Sequence, residues 1–163
     1  MNKVLIGLFI LSGVVIYSCT KTELGNVQGV KYDATAYSLE FTNFTLPAVT
    51  LPADNPLTVE KVKLGRMLFY ETMLSSDESV SCASCHVQSE AFGDANTAST
   101  GINGSTARHS MRLVNNRFAN GNAFFWDKRA ATLEIQTTQP IQDHIKMGFS
   151  GEDGDLSFDD LIV

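Results

Sequence analysis

The chain has 163 residues, enough for one domain once a leader is set aside. With 44% hydrophobic and 18% charged residues it has the make-up of a globular protein, not a disordered one. A net charge of −6 argues against nucleic acid as a partner and suits an encounter with a basic protein surface.

Residues 1–19 read as an address. Met1-Asn2-Lys3 is a short basic start, and the apolar run Val4 to Tyr17 is broken only by Gly7, Ser12 and Gly13. That run is too short for a comfortable membrane span and has the form of a secretory signal. It stops at Ser18-Cys19, a small residue before a cysteine, as in a bacterial lipoprotein cleavage site. Cys19 would then carry lipid and become the mature N-terminus, the protein's one contact with membrane. Tyr17 is bulkier than such sites usually have. A non-cleaved anchor, or an ordinary signal with a bystander cysteine, is the alternative. Each reading takes the protein out of the cytoplasm, and the expected location is the periplasm.

Residues 20–56 show no sustained period of 2 or 3.6 residues. Their first part reads as a tether. Their second part, with Tyr32, Tyr37, Phe41, Phe44 and Leu46, reads as an extended strap ending in the helix breakers Pro47, Pro52 and Pro56.

Residues 57–163 form the expected domain. Thr58 to Tyr70 predicts an amphipathic helix capped by Thr58, with Leu64, Met67 and Leu68 on one face and Met67 a core residue. The polar loop Leu74 to Ser79 leads into Ser81-Cys82-Ala83-Ser84-Cys85-His86. A Cys-x-x-Cys-His run is the attachment signature of c-type haem. Cysteines three apart share one side of a helical turn, so both sulfurs can bond the two vinyl edges of one porphyrin. Cys82 and Cys85 would be the thioether anchors and His86 the proximal iron ligand. The alternatives are a thioredoxin-like redox pair, which wants a preceding strand, a zinc site using His109 or His144 as fourth ligand, and a plain disulfide. Further on, Ala91 to Asp94 predicts a turn, and Arg129 to Thr138 a helix stopped before Pro140. Ser157 reads as the cap of a last helix, begun within about two turns of Val163.

Several segments carry a family likeness. They are Leu64-Gly65-Arg66-Met67-Leu68-Phe69, Leu74-Ser75, the Cys82–His86 motif, Ala91-Phe92, Thr100 to Gly104, Arg108-His109-Ser110, Leu113-Val114-Asn115 and Phe124 to Leu133. Over about residues 56–150 the chain resembles the N-terminal haem domain of bacterial di-haem cytochrome c peroxidases, a family that includes the MauG-like enzymes. The resemblance implies an all-α, cytochrome c-like domain with an extended N-terminal strap and one haem c. It also implies reduction of hydrogen peroxide with electrons from a small cytochrome or cupredoxin. Trp126 would couple this haem to a second one. The family continues into a second haem domain with its own Cys-x-x-Cys-His, so the chain reads as the N-terminal part of a longer protein, incomplete at its C-terminus.

Peroxide cleavage needs an open iron position and a group that takes the peroxide's proton and delivers it to the leaving oxygen. The family places a glutamine after the Trp-Asp motif, matched by Gln136, and then a glutamate just before a methionine. At that second place stands Lys146, followed by Met147. A lysine ammonium has three donors and no lone pair with which to take a proton. His144 is a substitute base the sequence offers, the alternative being an ordinary, partly exposed histidine. Where some members carry a ligating histidine in the Gly101–Gly104 loop, this chain has Ile102 and Asn103. The iron would then be permanently open, as in the MauG-like branch, unless His109, Met111 or Met147 supplies a sixth ligand. His109 stands where the family usually has an asparagine near a calcium site, so calcium stays an open cofactor, and a homodimer an open assembly. Two other functions remain: a mono-haem electron carrier without catalysis, and a MauG-like oxidase acting on a protein side chain.

Overall fold

Helix α1, Val59–Tyr70, begins where Thr58 lends its hydroxyl to the Lys61 amide at 3.3 Å, satisfying one of the unpaired first-turn donors. The computed structural model describes residues 33–39, 47–119 and 123–162, and all of them belong to one unit, Asp33–Val163. The leader with Cys19, the tether, and Tyr32, Phe41, Phe44 and Leu46 of the strap lie outside the described residues. Among the described residues no helix is long and apolar enough to cross a membrane.

The described part of the strap meets the start of α1. Ala36 bridges Thr58 antiparallel, the Tyr37 amide donates to the Leu57 carbonyl at 3.1 Å, and the Val59 amide to the Thr35 carbonyl at 3.0 Å. Two elements' ends are tied this way, strap and helix entry. The inward face of α1 is the one bearing Phe69, whose ring meets Phe92 edge-on at 5.9 Å. Met67 lies two residues away, about 200° round the helix, and is 71% exposed. The expectation that Met67 is core is therefore corrected. The Leu64 and Leu68 side of α1 is open as well.

After α1 a 3₁₀ turn, Thr72–Leu74, leads to the buried Ser75. Its hydroxyl donates to the Thr72 carbonyl and accepts from the Val80 amide, both at 3.0 Å, which folds the polar loop back on itself before the cysteine motif. Helix α2 is the single turn Cys82–Cys85. Strands β1, Thr100–Gly101, and β2, Gly104–Ser105, form an antiparallel ribbon with Gly101 opposite Gly104. Helix α3 is Leu133–Thr138.

These observations narrow the all-α expectation. The helices are few and short, a two-stranded ribbon is present, and much of the domain is irregular chain. The predicted helix from Arg129 also begins later. The fully buried Ala130 exchanges hydrogen bonds with Phe124 in a small bridge, at 2.8 and 3.4 Å, so its backbone is already committed. Thr132 then caps α3 by accepting from the Ile135 amide at 3.1 Å.

Ile141, Met147 and Phe149 form the small core, with Leu74, Phe158 and Leu161 packed on it. The β1–β2 ribbon is laid onto this region: the Ile102 amide donates to Lys146 O at 3.1 Å and the Asn103 amide to Ile145 O at 3.3 Å. Gly101 is required for that approach, since a Cβ there would land on the Ile145 carbonyl oxygen. The last element is a 3₁₀ turn, Phe158–Ile162, entered through Ser157, whose amide and hydroxyl donate to Asp160 at 2.8 and 2.7 Å. The chain that follows the ribbon from Thr106, helix α3, and Pro140, Asp143, Ile145 and Lys146 contribute to the wall of the site.

Candidate functional site

The cysteine motif is shaped by its own backbone. The Ser81 amide donates to the Ser84 hydroxyl at 3.1 Å, which starts α2, and the His86 amide donates to the Cys82 carbonyl at 3.0 Å, which closes the turn. Cys82 and Cys85 are free thiols one turn apart, not a disulfide. Burial pushes both thiols up, which keeps them protonated. A redox pair needs the opposite, a thiol lowered into a reactive thiolate. Among the described residues no group of three or more His, Cys, Asp or Glu side chains is placed to hold a metal ion.

His86 is oriented by the turn that follows. Ala91 and Phe92 both have left-handed backbone, at φ 54° and 57°, and this brings the Phe92 carbonyl to 3.0 Å from His86 Nδ1. A carbonyl only accepts, so Nδ1 carries the proton and the lone pair sits on Nε2. Burial, the largest influence, pushes the imidazole's pKa down and favours the neutral form that binds metals. A carbonyl held on the far nitrogen is the usual way a protein fixes a ligating imidazole.

Beside this motif lies a cavity of about 590 Å³, with Cys85 and His86 in one wall. That volume lies in the range of small-molecule and cofactor sites. The donor set fits a covalently held haem: two unoxidised thiols on one turn, one imidazole of defined tautomer, and a cavity next to them. When bound, such a haem supplies the redox chemistry, and Cys82, Cys85 and His86 would hold it.

The other sequence candidates divide between cavity and elsewhere. Gln136, on α3, lines the cavity. So does Trp126, half exposed, with its indole N–H on the His109 carbonyl at 2.8 Å. His109 lines it too, its Nδ1 held by the Asn96 carbonyl at 2.8 Å, and Met111 also belongs to the wall. Lys146 lines it with its ammonium 2.7 Å from Asp143 Oδ2. Met147, one of the possible sixth ligands, is buried in the core with Ile141 and Phe149 and is not among the residues of the cavity wall. His144 is not among the residues of that wall either. Its Nδ1 pairs with Asp155 at 2.8 Å, and that bond raises its pKa.

Two residues emerge that the sequence reading passed over. Arg129 lies 3.6 Å above the Phe125 ring and pairs with Asp127 at 2.9 Å, so it braces the aromatic wall. Asp143 brings a carboxylate into the cavity beside Lys146. The available signal was the Asp143-x-x-Lys146 spacing, which puts opposite charges side by side on a turn.

Thiols, imidazole and cavity together give a site with the chemistry of a cytochrome c domain. The sequence profile of the family described as di-haem cytochrome c peroxidase matches residues 59–157, and the chain belongs to that family. It is 41% identical over 92 residues to the cytochrome-c peroxidase IdrP1 of Denitromonas iodatirespirans, covering 56% of this chain and 24% of that protein. It is 41% identical over 104 residues to the methylamine utilization protein MauG of Methylorubrum extorquens, covering 63% and 29% respectively. Among solved structures it resembles a MauG-like protein associated with microbial copper homeostasis, at 34% identity and a TM-score of 0.62, over 69% of this chain and 33% of that one. The chain thus spans about a quarter of the length of the curated relatives it matches.

Proposed function

We propose that this chain is the peroxide-facing, haem-carrying part of a periplasmic cytochrome c peroxidase that reduces hydrogen peroxide with electrons from a small cytochrome or cupredoxin. One observation carries the reading: Gln136, Asp143 and Lys146, all able to hydrogen-bond or move protons, share a cavity with Cys85 and His86. An electron carrier wants a closed, methionine-ligated iron. A peroxidase wants a cavity that admits substrate and a proton-handling group.

In this reading the thiols and His86 anchor the haem from one side, and the Phe92 carbonyl holds the proton on His86 Nδ1. Gln136 can orient a bound peroxide by its amide. Trp126, at the exposed edge of the cavity, is the group through which electrons would arrive. Lipid on Cys19 would keep the protein at the membrane.

A MauG-like oxidase is the second reading. It is favoured by the ribbon, whose tip residues Ile102 and Asn103 are bound to Lys146 and Ile145 and present no ligating histidine. The test is the chain produced alongside haem-maturation machinery. A high-spin ferric spectrum that changes on adding hydrogen peroxide is the expected result. The far-red band of a methionine-ligated ferric haem would establish the electron carrier instead.

A further inference from the structure

We propose that Asp143 is the proton-carrying group of the cavity, in company with Lys146, an inference that rests on the peroxide reading above. A base in this cavity must be a side chain with a lone pair to offer, and the Lys146 ammonium has none. Three side chains of the wall have such a lone pair, His109, Asp127 and Asp143; the His109 imidazole has its Nδ1 on the Asn96 carbonyl at 2.8 Å, and Asp127 is held by Arg129 at 2.9 Å and by Arg108 at 3.3 Å, two guanidinium groups that never give up their protons. His144, the base suggested by sequence alone, is turned to Asp155.

Asp143 is better placed than Asp127. Its Oδ1 accepts from the Ile145 and Lys146 amides, both at 3.1 Å, which fixes the carboxylate's orientation. Among the described residues its Oδ2 has one hydrogen-bond partner, the Lys146 ammonium at 2.7 Å, at the end of a flexible four-carbon stem. That ammonium can shift aside when Oδ2 takes a proton and return when the proton leaves. The pair remains one-third exposed at most, with side chains 28% and 32% accessible, so it can exchange protons with water between turnovers.

The proton moves in a closed cycle. Oδ2 takes it from one peroxide oxygen and hands it to the other, the O–O bond breaks, and that second oxygen leaves as water. Over a full turnover hydrogen peroxide, two protons and two electrons give two waters. The electrons come from the small redox protein, and Asp143 ends as it began.

The test uses the haem-loaded chain and two probes, hydrogen peroxide and hydrogen cyanide. Hydrogen cyanide must lose its proton to bind ferric iron but needs no electrons, so it reports the base independently of turnover. Asp143→Asn keeps an oxygen for the two amides and removes the basic carboxylate. Asp143→Ser does the same with a hydroxyl, should the asparagine variant load haem poorly. Loss of a general base slows such steps on the order of 100-fold, and this slowing is expected with both probes. Carbon monoxide binding to the reduced protein needs no proton and should keep its rate. Adding Lys146→Glu to Asp143→Asn should restore both reactions. Variants that bind cyanide and consume peroxide at the wild-type rate overturn the role of Asp143 and leave the peroxide reading standing. An equal loss of carbon monoxide binding also overturns it, as a merely structural role. A wild-type chain inert to both probes brings down the proposal and the peroxide reading together.

Discussion

Placing alanine at Gly101 and at Gly65 should change stability in opposite directions, and the structure says by how much. At Gly101 a methyl would overlap the Ile145 carbonyl oxygen and lie 2.8 Å from the Lys146 Cα. Both obstacles are main chain, so no side chain can swing away. The ribbon would have to withdraw, straining the bonds Ile102 N–H to Lys146 O and Asn103 N–H to Ile145 O, and that from Asn103 Nδ2 to His144 O at 2.9 Å. Overpacking of this kind costs about 1–3 kcal/mol, and each weakened hydrogen bond about 1 kcal/mol. A loss of roughly 3 kcal/mol corresponds to a fall in Tm of about 10 °C for a domain of this size. Gly65 lies inside α1, and a methyl added there would meet nothing within 4 Å. There alanine should stabilise by about 0.5–1 kcal/mol by restricting the unfolded chain. Thermal unfolding of the haem-loaded protein, followed by far-UV circular dichroism, measures both. A Gly101→Ala protein melting with the wild type would show that the ribbon does not lie against the 145–146 turn.

Other outcomes follow from the same geometry. Cys82→Ala should leave one thioether, so haem stain on a denaturing gel weakens, and the double Cys82→Ala, Cys85→Ala variant should show none; full staining of the double variant would refute covalent attachment. Thr132→Ala removes the cap of α3 and should cost about 1 kcal/mol, read as a lowered urea midpoint, with a slower peroxide reaction because Gln136 rides on that helix. The His144–Asp155 pair makes stability depend on pH. His144 is raised by the Asp155 carboxylate, so its contribution is full below the ordinary histidine value and fades as pH climbs through the folded one. Asp155 is lowered, by the Ser150 hydroxyl first and then by His144, so its contribution is present above the ordinary aspartate value and fades as pH falls through its own. The difference in urea midpoint between wild type and His144→Gln should therefore be widest between roughly pH 4 and 6.5 and shrink above that; a difference that is flat with pH would refute the pairing.

The motif around Cys82, Cys85 and His86 was legible from spacing, because haem attachment is a local requirement of one helical turn. The start of α1 at Thr58 and the stop before Pro140 were legible for the same reason, since caps and breakers act within a few residues. Met67 was misjudged because periodicity says which residues share a face, not which face the rest of the molecule covers. The late start of α3 was hidden because Ala130 is committed to Phe124, a partner outside any helical window.

What the amino-acid order determined alone is therefore the turn that carries Cys82, Cys85 and His86, and the family. Tertiary structure decided which side chains around Lys146 face the cavity. His144 and Met147 sit close to Lys146 in the chain, yet one turns to Asp155 and the other enters the core, while Asp143 meets Lys146 in the cavity. Neighbours on a tight turn point in different directions, and only the packing of Ile141 and Phe149 beneath that turn and of the ribbon across it decides which of them faces the site.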